Sequence, residues 1–384
     1  MTRSTPDSTR YLGCITGRRP PANDAPLIGI LEGEGIGPEL LACCRLVLGA
    51  IEAHTAMRFR YRQGGAIGKV AMAAGGEPLS GEVIDFCREL FRDGGALLCG
   101  PGGDRFVYEL RREFSLFCKL VPLKPLPPLA DTGPLRPEAV EDVDILLVRE
   151  NLGGLYQGEF RLETSASGGH ASHRFSYTAE QVSDVLETAT RLARARRGEL
   201  CVVTKPGGAP SISRLWETEA QRVAGDGNVD VNLRILEVDN ASYQLVADAR
   251  AFDVVVTPNL FGDVLGDGAA LLLASRGMSY SANFNHAGHA VYQTGHGAAH
   301  DLAGTDRANP LGQLLSLAMM LHESFGQTRV AQALRTAIDE TLAAGWRTRD
   351  IAAPGARIVG TRALTEQVAD RLELYLRADL RTSA

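Results

Sequence analysis

Asp263 and Asp267 stand four residues apart in "NLFGDVLGDGAALLLASRG", at the head of an apolar run. On a helix such residues share one face, and like charges there cost about 0.2–0.5 kcal/mol. A divalent cation reverses that sign, because carboxylates together with water and substrate oxygens suit Mg2+ or Mn2+. The alternative is a helix whose N-terminus is capped by Asp263, with Asp267 solvated. Gly262, Gly266 and Gly268 crowd the same stretch. That density weakens a helix and makes sense where another group approaches closely. Elsewhere "VRENLGGLYQGE" places Tyr156 seven residues after Arg149, "VVTKPGG" carries Lys205, and "LEVDNASYQLV" carries Asp239 among apolar neighbours. Arg111, Arg112, Lys119 and Lys124 cluster in "LRREFSLFCKLVPLKP". They read either as a solvated basic face or as a carboxylate clamp, for which the planar arginine fork is suited. "HGAAHDLAGTDRANP" is a polar, small-residue loop with His296, Asp301 and Asn309.

These residues need elements to position them. "VDILLVREN", "ELCVVTKPGG" and "AFDVVVTPNLFGD" each read as a buried strand ending in polar or glycine-rich residues. Arg149, Lys205 and Asp263 fall at those carboxyl ends, where active sites of α/β folds gather. "GGALLCGPGG" reads as another strand, with Cys99 as a small core residue. "SYTAEQVSDVLETATRLARARR" reads as a long helix with Thr178 as N-cap. Alternating strands and helices predict an α/β fold. "LEGEGIGPEL" follows a strand, but its glycines are spaced G-x-G-x-G. That argues for a tight strand-to-helix turn with Pro38 near the first helical position, and against a dinucleotide fingerprint. The proline-rich "KPLPPLADTGPLRPEAVEDV" marks a domain crossing near residues 120–140.

The chain has 384 residues, of which 45% are hydrophobic, enough for two domains or one with a large lobe. A net charge of −6 gains little from a polyanion, so nucleic acid is excluded as a general partner. No apolar run is long enough to span a membrane. Residues 1–24 are polar, without the apolar core of a secretory signal, and are expected to form a flexible tail. Seven scattered cysteines without metal spacing fit a reduced, cytoplasmic setting.

In order, the motifs resemble the β-decarboxylating dehydrogenases: the isopropylmalate, isocitrate, homoisocitrate and tartrate/malate enzymes. The resemblance runs from about Pro26 to the C-terminus. The family's G-D-G-I-G-P-E appears as "GEGIGPE", and G-E-P-L-P as "GEPLS". V-R-E-x-x-G-G-x-Y-x-G-E appears as "VRENLGGLYQGE", and N-L-F-G-D-I-L-S-D as "NLFGDVLGD". H-G-S-A-P-D-I-A-G…A-N-P appears as "HGAAHDLAGTDRANP". The resemblance implies a two-domain isopropylmalate/isocitrate dehydrogenase-like α/β fold that is not a Rossmann fold. Residues 25–118 and 275–384 would form the larger, cofactor-binding domain, and 119–274 the smaller dimerisation and substrate domain. It also implies a homodimer with shared active sites. Asp263 and Asp267 would bind Mg2+ or Mn2+ with Asp239 from the partner copy, and Lys205, also from the partner, would be the base. Tyr156 would be the general acid, and Arg111 and Arg149 would hold the malate unit. His296, Gly297, Ala298, Ala299, Asp301 and Asn309 would bind the adenosine part of NAD. Asp301 repels a 2′-phosphate, Leu302 adds no phosphate contact, and NAD is expected over NADP; Arg307 nearby argues the other way.

The sequence also departs from the family pattern. Its N-L/V-R-P reads "KLVP", so Val121 replaces an arginine of the clamp and Lys119 an asparagine. Lys119 or Lys124 would have to reach in as a point charge. D-K-A-N around the lysine reads "TKPGG", His300 replaces a proline, and Gly268 replaces a glutamate. In "GPGGDRFVYELRR", Arg105 with Val107 and Tyr108 occupies the specificity stretch. Arg105 either binds an anionic γ substituent or points to solvent. The expected activity is NAD- and metal-dependent oxidation, with β-decarboxylation, of a substituted malate. A dehydrogenase that does not decarboxylate, or a non-catalytic regulatory subunit, are the alternatives.

Overall fold

The computed structural model describes residues 10–17, 22–165, 168–225 and 230–382. Twelve strands follow one another as β1 (Leu27–Leu31), β2 (Arg60–Gln63), β3 (Ala96–Cys99), β4 (Cys118–Leu123), β5 (Ile145–Glu150), β6 (Glu159–Ser165), β7 (Gly168–Arg174), β8 (Glu199–Thr204), β9 (Asn232–Glu237), β10 (Val254–Thr257), β11 (Tyr280–Phe284) and β12 (Ala290–Thr294), before a short two-stranded pair near the C-terminus. The helices are α1 (Tyr11–Thr16), α2 (Gly37–His54), α3 (Gly68–Ala73), α4 (Gly81–Arg92), α5 (Phe106–Glu113), α6 (Pro137–Val140), α7 (Ala179–Arg194), α8 (Pro210–Ala224), α9 (Val238–Ala247), α10 (Asn259–Ala269), α11 (Leu311–Glu323), α12 (Thr328–Ala343) and α13 (Thr361–Thr382).

Ten strands form one sheet in the order β2-β1-β3-β12-β11-β4-β5-β10-β8-β9. Both ends of the sheet are parallel, whereas β11 pairs antiparallel with β12 and β4, and β4 antiparallel with β5. A sheet covered by helices on both faces needs strands that are apolar throughout, and β1, β3, β4, β5 and β10 are buried along their whole length. On β1 the alternation divides two packing layers. Ile28 and Ile30 join the core shared with α2, α11 and α13, while Leu27 and Leu31 join the one with α4 and α5. Helix α11 is buried on every side, and its sequence is correspondingly apolar all round. Helix α7 starts at Thr178, whose hydroxyl accepts from Gln181 N while Gln181 bonds back to Thr178 N.

The proline-rich stretch 124–143 joins β4 to β5, which are neighbours in the same sheet. One local feature differs from expectation. Part of the expected N-terminal tail is a docked helix, because α1 buries Leu12 and Ile15 against the core. Leu12 N donates to Glu323 Oε2 at 2.8 Å, and Arg191 Nε donates to Cys14 O at 2.6 Å. Two apolar side chains at i and i+3 suffice to tie down one turn that finds a groove. Residues 1–9 and 18–21 of that tail lie outside the described residues.

Candidate active site

Sheet register builds the cleft. Lys119 on β4 stands directly opposite Arg149 on β5, and Arg149 stands beside Thr257 at the end of β10. Like charges facing each other across a sheet are unfavourable. Both are nevertheless buried, and so is Arg111 in the last turn of α5. Asp263 and Asp267 on α10 close the opposite wall, with Val107 and Tyr108 from α5 at one end and Gln293 to Gly297 at the other.

Helix α10 begins at Asn259 after Pro258, so Asp263 lies beyond the first turn and does not cap it. Gly262 is needed because a Cβ there would stand 2.3 Å from Thr257 Oγ1 and 2.8 Å from Arg149 Cβ. A Cβ at Gly268 would meet nothing. The absence of side chains at 262 lets α10 approach the end of β5, and this approach pairs Asp263 with Arg149 Nη1. Arg149 also donates through Nε and Nη2 to Asn259 Oδ1, at 3.0 and 2.9 Å. The Tyr156 hydroxyl donates to the other oxygen of Asp263 at 2.7 Å. Burial, together with that hydrogen bond, lifts Tyr156 above the usual phenol range and keeps it protonated. Burial pulls Asp263 upward, but Arg149, Tyr156, Lys119 and Arg111 outweigh it and hold the carboxyl low. Asp267 pairs with Arg276 at 2.8 Å.

The cations of this cleft are under-compensated. Burial, then the Arg111 and Arg149 charges, push Lys119 down to about 7. Burial, then Arg149, pushes Arg111 down to about 9. Arg111 Nε is buried without an acceptor, and Lys119 makes no hydrogen bond or ion pair among the described residues. Gln293 Oε1, Thr294 Oγ1 and His296 Nε2 are buried and unpartnered on the same walls. Buried polar atoms of this kind ask for a polar ligand.

A second cleft adjoins the first and shares Arg276, His296 and Gly297 with it. Ile36, Ala299, Leu302, Arg307, Asn309 and Asp350 complete its walls. Ala298 O accepts from Ile36 N at 2.9 Å, which seats the loop on the turn after β1. Asp301 is exposed and makes no hydrogen bond or ion pair among the described residues. Asp350 was not singled out in the sequence. It accepts from Asn309 Nδ2 at 3.0 Å and Ser275 Oγ at 2.6 Å, and only folding brings these distant segments together. Asn259, which orients Arg149, was hidden likewise inside a motif read for its aspartates.

Several expected residues lie elsewhere. Arg105 does not itself line the cleft: it donates to Tyr156 O at 3.0 Å, and its guanidinium lies over the rings of Phe160 and of the cleft residue Tyr108. Lys124 is half exposed beside Asp144, and Val121 is buried in the core, so of the clamp replacements only Lys119 enters the cleft. Lys205 donates to Glu237 and Asp239 at 3.0 and 3.1 Å on an exposed surface, outside both clefts. Among the described residues no three His, Cys, Asp or Glu side chains converge as a metal site. One chain brings two of the three expected acids into the cleft.

The α/β fold and its polar cleft match a family of dehydrogenases, oxidoreductases acting on a CH–OH group. The chain belongs to the isocitrate/isopropylmalate dehydrogenase family, which it matches over residues 27–368. It is 39% identical over 352 residues to a 3-isopropylmalate dehydrogenase of Gloeobacter violaceus, covering 89% of this chain and 96% of that protein. A 3-isopropylmalate dehydrogenase of Synechocystis is 37% identical over 360 residues, covering 90% and 98%. The crystal structure of isocitrate dehydrogenase from Methylococcus capsulatus superposes with a TM-score of 0.81 at 28% identity, covering 91% of this chain and 99% of that one.

Proposed function

We propose that the protein oxidises a substituted malate with NAD and a divalent metal, Mg2+ or Mn2+, and releases the β-carboxylate as CO2. The observation that carries this reading is the pair of buried cations in the cleft, Arg111 and Lys119, whose side chains make no hydrogen bond or ion pair among the described residues, beside Arg149 and two aspartates. A buried unpaired cation is costly, and a dicarboxylate substrate would relieve two at once. Asp263 and Asp267 would hold the metal with Asp239 of a second copy, and the bound metal would polarise the 2-hydroxyl and stabilise the enolate. Arg111, Arg149 and Lys119 would grip the two carboxylates. Tyr156, held protonated by Asp263, would deliver a proton to C3. Lys205 of the second copy would take the hydroxyl proton. Lys205 and Asp239 are paired on an exposed surface, and Tyr243 on α9, Val264 on α10 and Phe160 and Leu162 on the β6–β7 hairpin are exposed apolar side chains. That surface suits a homodimer. The unpaired Asp301 favours NAD.

The proposed division of the chain follows the sheet. Strands β1, β2, β3, β11 and β12 fall in 25–118 and 275–384, and β4, β5, β8, β9 and β10 in 119–274, apart from the single residue Cys118. Val121 lies outside the cleft and Lys119 inside it, so the charge lost at 121 is restored two residues earlier on the same strand face. This favours the decarboxylating reaction over simple oxidation. The test is NADH formation with Mg2+ or Mn2+ on isopropylmalate, isocitrate, homoisocitrate, tartrate, malate and γ-anionic malates, with CO2 followed in parallel. Turnover of one acid with stoichiometric CO2 is expected. NADH without CO2 would establish the simple dehydrogenase, and no turnover with no NAD binding would overturn the reading.

A further inference from the structure

Two departures from the family pattern, separated by more than 260 residues in sequence, meet in the fold. The turn after β1 carries Glu34 where the family motif has an aspartate, and the loop after β12 carries His300 where it has a proline. His300 Nε2 lies 3.3 Å from Glu34 Oε2. The Glu34 side chain has no exposure to solvent, whereas that of His300 is 59% exposed. Glu34 Oε1 is satisfied by Lys69 N at 2.6 Å and Gly103 N at 2.7 Å. The space for this carboxylate is made by glycine: Gly68 has φ +60°, and a Cβ on it would stand 2.0 Å from Glu34 Oε1. Oε2 has no hydrogen bond, and the His300 imidazole lies against it.

We infer that Glu34 and His300 form a latch that fastens the cofactor loop to the floor of the substrate cleft, with His300 a positioning residue for the nucleotide. The inference rests on the proposed NAD site. Gly103 leads directly into α5, which carries Tyr108 and Arg111, so the carboxylate joins the substrate wall to the loop. Elsewhere the loop is anchored by backbone hydrogen bonds, Ile36 N to Ala298 O at 2.9 Å and Thr361 N to Asp306 O at 3.0 Å. Between these anchors Ala299 has φ +40°, a conformation a non-glycine residue holds only when its surroundings impose it. The longer glutamate reaches the loop, and the residue next to the strained alanine is the one it touches. The latch thus holds the loop in its binding shape before the nucleotide arrives, and preorganisation of this kind is read as affinity.

The test measures NAD binding to the full-length protein by calorimetry, together with kcat and KM, in His300→Ala, Glu34→Gln and the double variant. His300→Ala is expected to weaken NAD about 5-fold, the scale of one half-exposed charge contact, with kcat within about twofold. Glu34→Gln should weaken it similarly, and the double variant no more than either single change. His300→Lys, which places a donor within reach of the Glu34 carboxylate, should restore the affinity. Unchanged NAD affinity in His300→Ala, or single effects that multiply in the double variant, would overturn the latch. Hydrogen exchange of amides 298–305 without nucleotide separates this from a failure of the functional reading. Faster exchange in His300→Ala supports the latch even if the wild type binds no NAD, and unchanged exchange refutes it.

Discussion

On the proposed function, Lys119 grips a carboxylate of the substrate. It shares a face of β4 with Val121, and register places it beside Arg149. Lys119→Met should lower kcat/KM for the best malate by about 100-fold, the loss of a charge-assisted contact in a buried site, while Lys124→Met leaves it unchanged. Equal effects of the two substitutions would remove Lys119 from the clamp. Tyr156 is argued from a different physics. Its hydroxyl already donates to Asp263, and removing it deletes a proton donor without moving the charges around it. Tyr156→Phe should reduce kcat by about 10²-fold with little change in KM, read by steady-state kinetics of NADH and CO2.

At the scale of elements, α1 is attached through one buried acid. Burial raises Glu323 to about 7, an effect that the backbone N–H groups of Leu12 and Tyr11 only partly offset. In the unfolded chain the same group ionises near ~4.3. A folded-state value above the unfolded one means that its stabilisation is full below the unfolded pKa and is lost as pH rises through about 7. Thermal midpoints of the wild type should therefore fall between pH 5 and pH 8 relative to Glu323→Gln, by roughly a few degrees for a chain of this size. Parallel pH profiles for the two proteins would disprove the assignment. The α10 helix shows the same coupling of element and chemistry: a glycine at 262 admits Arg149, and Arg149 then settles the charge of Asp263.

For the whole molecule, the proposed function requires two copies to complete each site. Lys205 and Asp239 hold each other on an exposed surface, while Tyr156 is hydrogen-bonded to the cleft residue Asp263. Lys205→Ala and Tyr156→Phe, each nearly inactive alone, should regain about a quarter of wild-type activity when unfolded and refolded together. Half of randomly paired dimers carry both variants, and one of their two sites is intact. No recovery, or an active monomer by sedimentation, would refute the shared site.

Much of this was legible in the order of residues. Buried strands are read from short apolar runs, and Arg149 and Lys205 fall at their ends, with Asp263 in the helix that follows β10, because chain direction is all that such a reading needs. The Thr178 cap is legible for the same reason: its partner, Gln181, is three residues away. The motif "NLFGDVLGD" announced paired carboxylates, but as a cap or a cation site equally, since their partners Arg149 and Arg276 come from other elements. Folding chose between Lys119 and Lys124, which differ only in position along one basic stretch, because register sets Lys119 within β4 opposite Arg149 while Lys124, just past the strand's end, meets Asp144. It also turned Arg105 to the Tyr156 carbonyl, docked part of the expected tail through two apolar side chains, and joined Glu34 to His300. Local rules act over a few residues, and these outcomes depend on contacts between segments tens to hundreds of residues apart, whose meeting is set by packing and not by neighbouring sequence.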